Sequence, residues 1–321
     1  MITLEGNRLL FRFPEVHDEA HCSMEFQRTL RIPDDDRDYP LPPGLGCFPL
    51  RHLDDYAPQL PEEWHGRGGV IAPMHQAEAM WINFSGSDYP FAVKVATGKI
   101  CALTGDTWVN HLNSDPQDYV VLPKQPWLDG YCVEKGVIRQ FVAMSLGEGY
   151  TVEEQMTGAA RHGGLQIVAY PMKRERYEEL FAPQSMPRVA FSRVIDPMGL
   201  APGGRMKQDI YDDPYGLDAW DQRYASRCFV TIVNSVQWMA ITGERPPTEP
   251  PTAKQYTQAG LPWFDYYRGD AEAVVGAEKL KAVASMAQIA KEKGGLLPEN
   301  ETLDVDHVIR LRNSGARPVR E

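Results

Sequence analysis

Cysteine is scarce in this 321-residue chain, and no two of the five cysteines form a CxxC pair. Their spacing excludes a zinc ribbon and a thioredoxin-type redox motif. The N-terminal segment also lacks the basic start and the unbroken apolar core of a signal peptide. We therefore predict a cytoplasmic protein in which all five thiols are reduced, namely Cys22, Cys47, Cys101, Cys132 and Cys228.

Long apolar runs and clusters of basic residues are also missing. No window approaches the roughly 18 consecutive apolar residues of a membrane helix. The formal net charge is −11, with 33 Lys and Arg against 44 Asp and Glu. This balance argues against nucleic acid and against an anionic membrane surface as partners. The hydrophobic fraction of 43% is typical of a folded soluble protein with a substantial core.

Local motifs for cofactors and nucleophiles are absent as well. The sequence contains no GxxxxGK[ST], GxGxxG, GxSxG or HExxH pattern. We therefore predict no cofactor, and we rank a soluble binding or assembly protein above an enzyme. The alternative is a hydrolase or lyase whose Cys/His or Asp site is assembled from distant loops, for example from Cys132 and His162.

The first part of the chain contains many short apolar runs bounded by Gly, Pro, Asp or Asn. In "SMEFQRTLRI", Met24, Phe26, Leu30 and Ile32 alternate with polar residues, and Arg28 is the exception on the apolar side. Short strands without intervening helices are typical of antiparallel sandwiches or barrels. We predict an α+β protein with a β-rich N-terminal domain, sandwich-like or barrel-like, over residues 1–185.

The remaining region, residues 186–321, is predicted to be mainly helical. Apolar residues at helical spacing indicate a long helix that Asp218 caps and Gly243 ends, although the β-branched run 230–233 also suits a strand. A capping box at Thr252 predicts a short helix, and a helix of roughly 30 Å is expected over 270–294. The alternating segment at about 302–312 predicts a final strand.

The segment "GLAPGGRMKQDIYDDPYGLDAWDQR", residues 199–223, is the densest polar stretch. Its glycines could admit an anion and its aspartates could ligate a metal, but the spacing of both sets departs from the known loops. We therefore favour an elaborate turn that leads into a capped helix. The candidate anion-site residues are Gly203, Gly204 and Arg205, and the candidate metal ligands are Asp209, Asp212 and Asp213.

A second weak metal candidate is the pair His17 and His21. Four residues apart, they would share one face of a helix and could hold zinc. Pro14 precedes them and a strand pattern follows at once, so a solvated loop is the preferred interpretation. The sequence therefore predicts no metal centre.

Two similar phrases combine tryptophan with an acid: Trp127-Leu128-Asp129 and Trp263-Phe264-Asp265. Each follows a proline, so its ring could be held rigidly in a loop. Such rings beside a carboxylate could bind a sugar or a peptide. The alternative, which we favour, is that both tryptophans close the edges of the core.

The last strand carries a self-complementary charge pattern. If two copies pair antiparallel about Val308, Asp304 faces Arg312 and Asp306 faces Arg310 of the other chain. This pattern predicts a homodimer or a larger homo-oligomer. The alternative, which we favour here, is that the strand joins the protein's own sheet and its charges are solvated.

Overall fold

Strands dominate the regular structure. The computed structural model describes residues 1–64, 66–181, 198–266 and 273–311. Its strands are β1 Ile2–Glu5, β2 Arg8–Arg12, β3 His21–Thr29, β4 Asp38–Tyr39, β5 Gly44–Cys47, β6 Arg51–His52, β7 Val70–Pro73, β8 Ala79–Gly86, β9 Phe91–Thr97, β10 Ile100–Cys101, β11 Val120–Leu122, β12 Trp127–Leu128, β13 Gly130–Glu134, β14 Val137–Met144, β15 Leu165–Pro171, β16 Gly199–Lys207, β17 Ser226–Val233, β18 Trp263–Tyr266 and β19 Val308–Leu311.

Helices are short and lie between these strands. The α-helices are α1 Val152–Thr157, α2 Arg174–Leu180, α3 Ser235–Thr242, α4 Ala253–Gln258, α5 Glu278–Lys281 and α6 Met286–Glu292. Three 3₁₀ segments cover Leu53–Gln59, Glu62–Trp64 and Leu217–Ala219. Within the described residues, no helix combines the length and the apolar composition that crossing a membrane requires.

The strands form two large sheets and one small one. The ten-stranded sheet has the order β1-β2-β3-β8-β14-β16-β4, with β12 on β8, β13 on β14 and β5 on β3. The seven-stranded sheet has the order β10-β9-β15-β17-β7-β6, with β11 on β9. The third sheet pairs β18 with β19. The prediction of a β-rich mixed protein with mainly antiparallel pairing is confirmed, whereas both large sheets have open strand orders rather than a closed barrel.

Strand β3 shows how the alternation of the sequence becomes a half-buried strand. Met24 and Phe26 are almost completely buried. Arg28, the exception in the pattern, is buried as well, because its guanidinium lies 2.6 Å from the carboxylate of Glu78. An ion pair therefore allows a charged side chain to occupy the apolar face.

One apolar cluster contains residues of both large sheets, among them Phe11 and Phe26 of the first sheet and Val93 and Ile167 of the second. Trp220 and Leu280, from the second half of the chain, belong to the same cluster. Burial of each such side chain contributes about 1.5–3 kcal/mol. The domain boundary near residue 185 stays a prediction.

The Pro202-Gly203-Gly204 stretch lies in strand β16 and not in the predicted loop. A β-carbon at Gly204 would lie 2.2 Å from the carbonyl oxygen of Pro33, and one at Gly203 would lie 2.5 Å from Cγ2 of Val142. These glycines therefore allow close packing of β16.

The long helix predicted from Asp218 to Gly243 is wrong. Residues 226–233 form β17, which pairs antiparallel with β15 and parallel with β7. The β-branched run 230–233 prevails over the helical spacing because it is buried between two neighbouring strands. The only α-helix within residues 218–243 is α3, and Asn234 caps it by accepting from the amides of Val236 and Gln237. The predicted end at Gly243 is confirmed.

Asp218 is not a helix cap. It lies inside the 3₁₀ segment Leu217–Ala219, which Gly216 precedes without a side-chain hydrogen bond. The short helix after Thr252 is confirmed, with the predicted capping box to Gln255.

The expected 30 Å helix over 270–294 is also wrong in its described part. Helices α5 and α6 are separate, because Ser285 forms a capping box with Gln288 and begins a new helix. Residues 267–272, which include the predicted cap Asp270, lie outside the described residues. The stop at Gly294 is confirmed by its positive φ of 75°.

The final strand is present but shorter than predicted. Strand β19 pairs parallel with β18, and Asp265 lies opposite Arg310 in the register. The strand therefore joins the protein's own sheet along one of its two edges, as the favoured alternative predicted. Arg312 lies outside the described residues.

Candidate ligand-binding cavity

The structure brings the two aromatic-acid phrases to one cavity of about 310 Å³. Its lining combines four aromatic side chains, two prolines, two leucines, a glycine and one carboxylate: Leu41, Pro42, Pro43, Gly44, Trp81, Trp127, Asp129, Phe264, Tyr266 and Leu311. These residues are far apart in the sequence, so strand pairing must bring them together.

The pairing of β12 with β8 places Trp127 opposite Asn83, directly after Trp81 and Ile82 along that strand. On the other side, the backbone of Phe264 exchanges two hydrogen bonds with that of Leu41, at 2.8 and 2.9 Å. The bridge holds β18 beside the proline segment that follows β4 and completes the wall of the cavity.

The indole of Trp127 and the ring of Tyr266 form a corner of the cavity. Their centroids are 4.8 Å apart and their planes meet at 77°, an edge-to-face contact. Such pairs contribute about 0.5–1.5 kcal/mol beyond their burial. The two rings are therefore held nearly perpendicular to each other.

Asp129 supplies the charge of the cavity. It is 5% exposed, and its Oδ2 accepts a hydrogen bond of 2.5 Å from Nε1 of Trp127. Its backbone amide donates to Oε1 of Gln208 at 3.0 Å, which fixes the main chain. Among the contacts of the described residues, none involves its other carboxylate oxygen, Oδ1.

Burial governs the ionisation of this carboxyl group. It raises the pKa of Asp129 to about 7, while the hydrogen bond from Trp127 acts in the opposite direction. Asp129 therefore titrates near neutral pH. Carboxyl groups with such a pKa, placed in a cleft, are candidates for binding or for proton transfer.

Of the two segments, only Trp127-Leu128-Asp129 directs its tryptophan and its acid into the cavity. Trp263 is buried on the other side of β18, where its Nε1 donates to Oγ1 of Thr257 at 3.1 Å. Asp265 lies 3.7 Å from Arg310. The residues between and after them, Phe264 and Tyr266, line the cavity instead. Strand alternation could have identified them, had the phrase been assigned to a strand.

The predicted anion-site and metal-site residues have structural roles. Arg205 forms ion pairs with Asp38 at 2.9 Å and with Glu134 at 3.3 Å. Asp213 accepts hydrogen bonds from the hydroxyl of Tyr119 at 2.6 Å and from Nε1 of Trp220 at 2.9 Å. The ion pairs of Arg205 join β16 to β4 and β13, and the hydrogen bonds of Asp213 stabilise the turn after β16.

The other two acids of that turn contribute backbone carbonyls. The carbonyl of Asp209 accepts from Gln125 at 3.3 Å, and that of Asp212 accepts from Lys124 at 2.8 Å. In the described residues, no three His, Cys, Asp or Glu side chains are arranged to hold a metal ion.

His17 and His21 do not share a helical face. The ring of His17 stacks on Tyr89 with centroids 5.5 Å apart, and its Nδ1 accepts from the amide of Glu19 at 3.1 Å. His21 is the first residue of β3, so the two belong to different local structures.

Cys132 lies in strand β13 and not in the predicted loop. Burial raises the pKa of its thiol to about 12. A thiolate nucleophile is thus disfavoured at this position. The pair with His162 stays a hypothesis.

Comparison with known proteins gives no further guide to the site. No protein-family model, no curated protein and no solved structure matches the chain. Any function assigned to it therefore rests on its own geometry.

Proposed function

We propose that the protein binds a small organic ligand with a basic nitrogen in the aromatic cavity. One observation carries this proposal: the carboxylate of Asp129 is buried among aromatic rings while one of its oxygens has no partner among the described contacts. A protonated amine would supply the missing hydrogen-bond donor and the missing positive charge.

The aromatic walls favour the same ligand class. The faces of Trp, Tyr and Phe attract cations, with roughly 0.5–2 kcal/mol per favourable contact. Among the described residues that line the cavity, none is basic, so an ammonium group meets no like charge there. The net charge of −11 adds a weak long-range attraction for cations.

The cavity suits an amine better than a sugar. A sugar needs several polar partners, whereas the lining here is mainly aromatic and aliphatic with one carboxylate. The volume of about 310 Å³ is at the lower end for small-molecule pockets, which favours a compact ligand over an extended peptide.

A second candidate function is acid–base catalysis by Asp129, as a hydrolase or lyase of the kind expected from distant loops. The pKa of about 7 supports it, because a carboxyl group that titrates near neutral pH can both donate and accept a proton. Product formation from a bound amine, lost in Asp129→Asn, would favour this candidate over binding alone.

Three predictions from the sequence stay proposals: the sandwich-like arrangement, the cytoplasmic location and the homodimer. The shared apolar cluster supports a sandwich-like arrangement of the two large sheets. The five free cysteines, four of them buried, support a reducing compartment such as the cytoplasm. Among the described residues β19 pairs along one edge only, and its side chains are exposed, which supports a homodimer.

Titration calorimetry with a matched pair of probes tests the binding proposal. We expect phenethylamine to bind at least about tenfold more tightly than 2-phenylethanol, which has a similar shape without the charge. Asp129→Asn should remove this preference. Asp265→Asn is the matched control, since it changes the same residue type on the opposite face of β18, and it should keep the preference. Equal affinities for the two probes, or no binding of either, would overturn the proposal.

A further inference from the structure

A serine and a histidine meet where two parallel strands end. Strand β17 pairs with β7 in parallel, with Val233 opposite Pro73, and the amide of Met74 donates to the carbonyl of Val233 at 2.7 Å. The two chains therefore leave the sheet side by side. One continues into His75 and the other into Ser235, the first residue of α3.

The hydrogen bonds of His75 determine which ring nitrogen can accept a proton. Nε2 lies 2.8 Å from the carbonyl oxygen of Pro247, which can only accept, so Nε2 carries the hydrogen. In the neutral ring Nδ1 is then the acceptor. It lies 3.4 Å from Oγ of Ser235, which donates to it. Ser235, His75 and the Pro247 carbonyl thus form a nucleophile, a base and an orienting group.

A buried ion pair holds this arrangement in place. Oε2 of Glu78 accepts from the backbone amide of His75 at 2.8 Å, and its Oε1 accepts from Nε of Arg28 at 2.7 Å. Arg28 also donates to the carbonyl of Thr248 at 2.6 Å, next to the carbonyl that orients the ring. The base and its orienting group are therefore attached to the same buried pair.

We propose that Ser235 and His75 form a second site, which hydrolyses small esters. Oγ of Ser235 attacks the ester carbonyl carbon while its proton passes to Nδ1 of His75. Collapse of the tetrahedral intermediate breaks the bond to the alcohol, which takes that proton and leaves. Water then attacks the acyl-serine, again with His75 as base, and releases the acid and the free serine.

Two features of the site define the substrate class. A carbonyl stabilises the imidazolium less than a carboxylate does, so the leaving group must be better than an amine, which favours esters over amides. Next to His75 lies a cavity of about 210 Å³, which Met144 and Pro250 line together with charged side chains such as Arg31 and Glu249. Ser235 is not part of this lining, and the size of the cavity beside the base suits a short group of the ester.

Asn234 is placed to donate to the developing oxyanion. Its Oδ1 accepts from the amides of Val236 and Gln237, which fixes the side chain beside Ser235. Its Nδ2 has no partner among the described contacts. A side-chain amide next to the nucleophile can stabilise the tetrahedral intermediate.

Labelling with a fluorophosphonate tests the site directly. Attack by Ser235 forms an O–P bond and expels fluoride while the proton moves to His75. We expect one adduct, located at Ser235 by peptide mass spectrometry, and none in Ser235→Ala. The exposed Ser114 is the control, and Ser114→Ala should label like the parent protein. Absence of an adduct at Ser235 would overturn the proposal.

Two further variants separate catalysis from folding. His75→Gln should slow labelling and p-nitrophenyl acetate hydrolysis about 100-fold, since it removes the base. Asn234→Asp keeps an N-cap acceptor but loses the donor, so it should slow hydrolysis while the melting temperature is retained. Equal labelling of Ser235 with and without His75 would reject the mechanism.

Discussion

At the scale of single residues, Asp129 is the side chain whose ionisation most clearly lowers the free energy of unfolding. Burial raises its pKa from 3.8 to about 7. Between these two pH values, the folded protein keeps a proton on Asp129 that the unfolded chain has already lost. Stability should therefore fall as pH rises from about 4 to about 7, by up to about 4 kcal/mol. A carboxylate that destabilises the fold at neutral pH indicates a site kept for a ligand or a reaction.

We expect Asp129→Asn to raise the melting temperature at about pH 8 and to change it little at about pH 5, because the amide remains neutral and can still accept from Trp127. Scanning calorimetry at both pH values measures the difference. Asp265→Asn, whose side chain is 44% exposed, should show no such pH dependence. If Asp129→Asn lowers the melting temperature equally at both pH values, the carboxylate has only a structural role.

At the scale of elements, the strands of the first half and the short capped helix after Thr252 were predictable because their signals are local. Segment 226–233 was not. Its residues fit both a helix and a strand, and the choice depends on β15 and β7, which lie far away in the sequence. Gly203 and Gly204 were misassigned for the same reason, since Pro33 and Val142 require their small size.

Only part of the lining of the aromatic cavity could be predicted from the sequence. The two aromatic-acid phrases were candidates for a binding surface, although closure of the core was the favoured interpretation, and no local pattern indicated that Trp81 and the proline segment would join them. It also could not show that Phe264 and Tyr266 face the cavity in place of Trp263 and Asp265, because the period of two applies only once a strand is assigned. The pairing of Ser235 with His75 had no local signal at all.

The caps of α3 allow a direct test of the corrected boundary. Asn234→Ala should cost about 0.5–2 kcal/mol of unfolding free energy, because two amides of the first turn lose their acceptor. Asp218→Ala, at the start predicted from sequence, should change it by less than about 0.5 kcal/mol. Urea unfolding measures both. A larger loss for Asp218→Ala than for Asn234→Ala would contradict the assignment of β17.

At the scale of the whole molecule, the open question is whether β19 joins two chains. One of its edges is taken by β18, and Val308, Ile309 and Leu311 are about 40% exposed. Asp304 lies 3.7 Å from Arg37, with both side chains largely in solvent, and Arg310 lies equally far from Asp265. These exposed pairs are weak and can be exchanged for contacts with a second copy.

We expect a weak dimer with two-fold symmetry about Val308, in which Asp306 of one chain faces Arg310 of the other. The strand must extend beyond the observed Val308–Leu311 to include the acids, and pairing with the partner strand would supply the backbone hydrogen bonds for this. Each cross-strand charge pair contributes about 0.2–1 kcal/mol, so the four pairs together add only a few kcal/mol and the dimer is expected to be weak. Sedimentation velocity should show Asp304→Arg with Asp306→Arg, and separately Arg310→Asp with Arg312→Asp, as monomers. All four changes in one chain restore every opposite pair and should restore the dimer. A parent protein that sediments as a monomer at high micromolar concentration would end the proposal and leave β19 as the edge strand of a single chain.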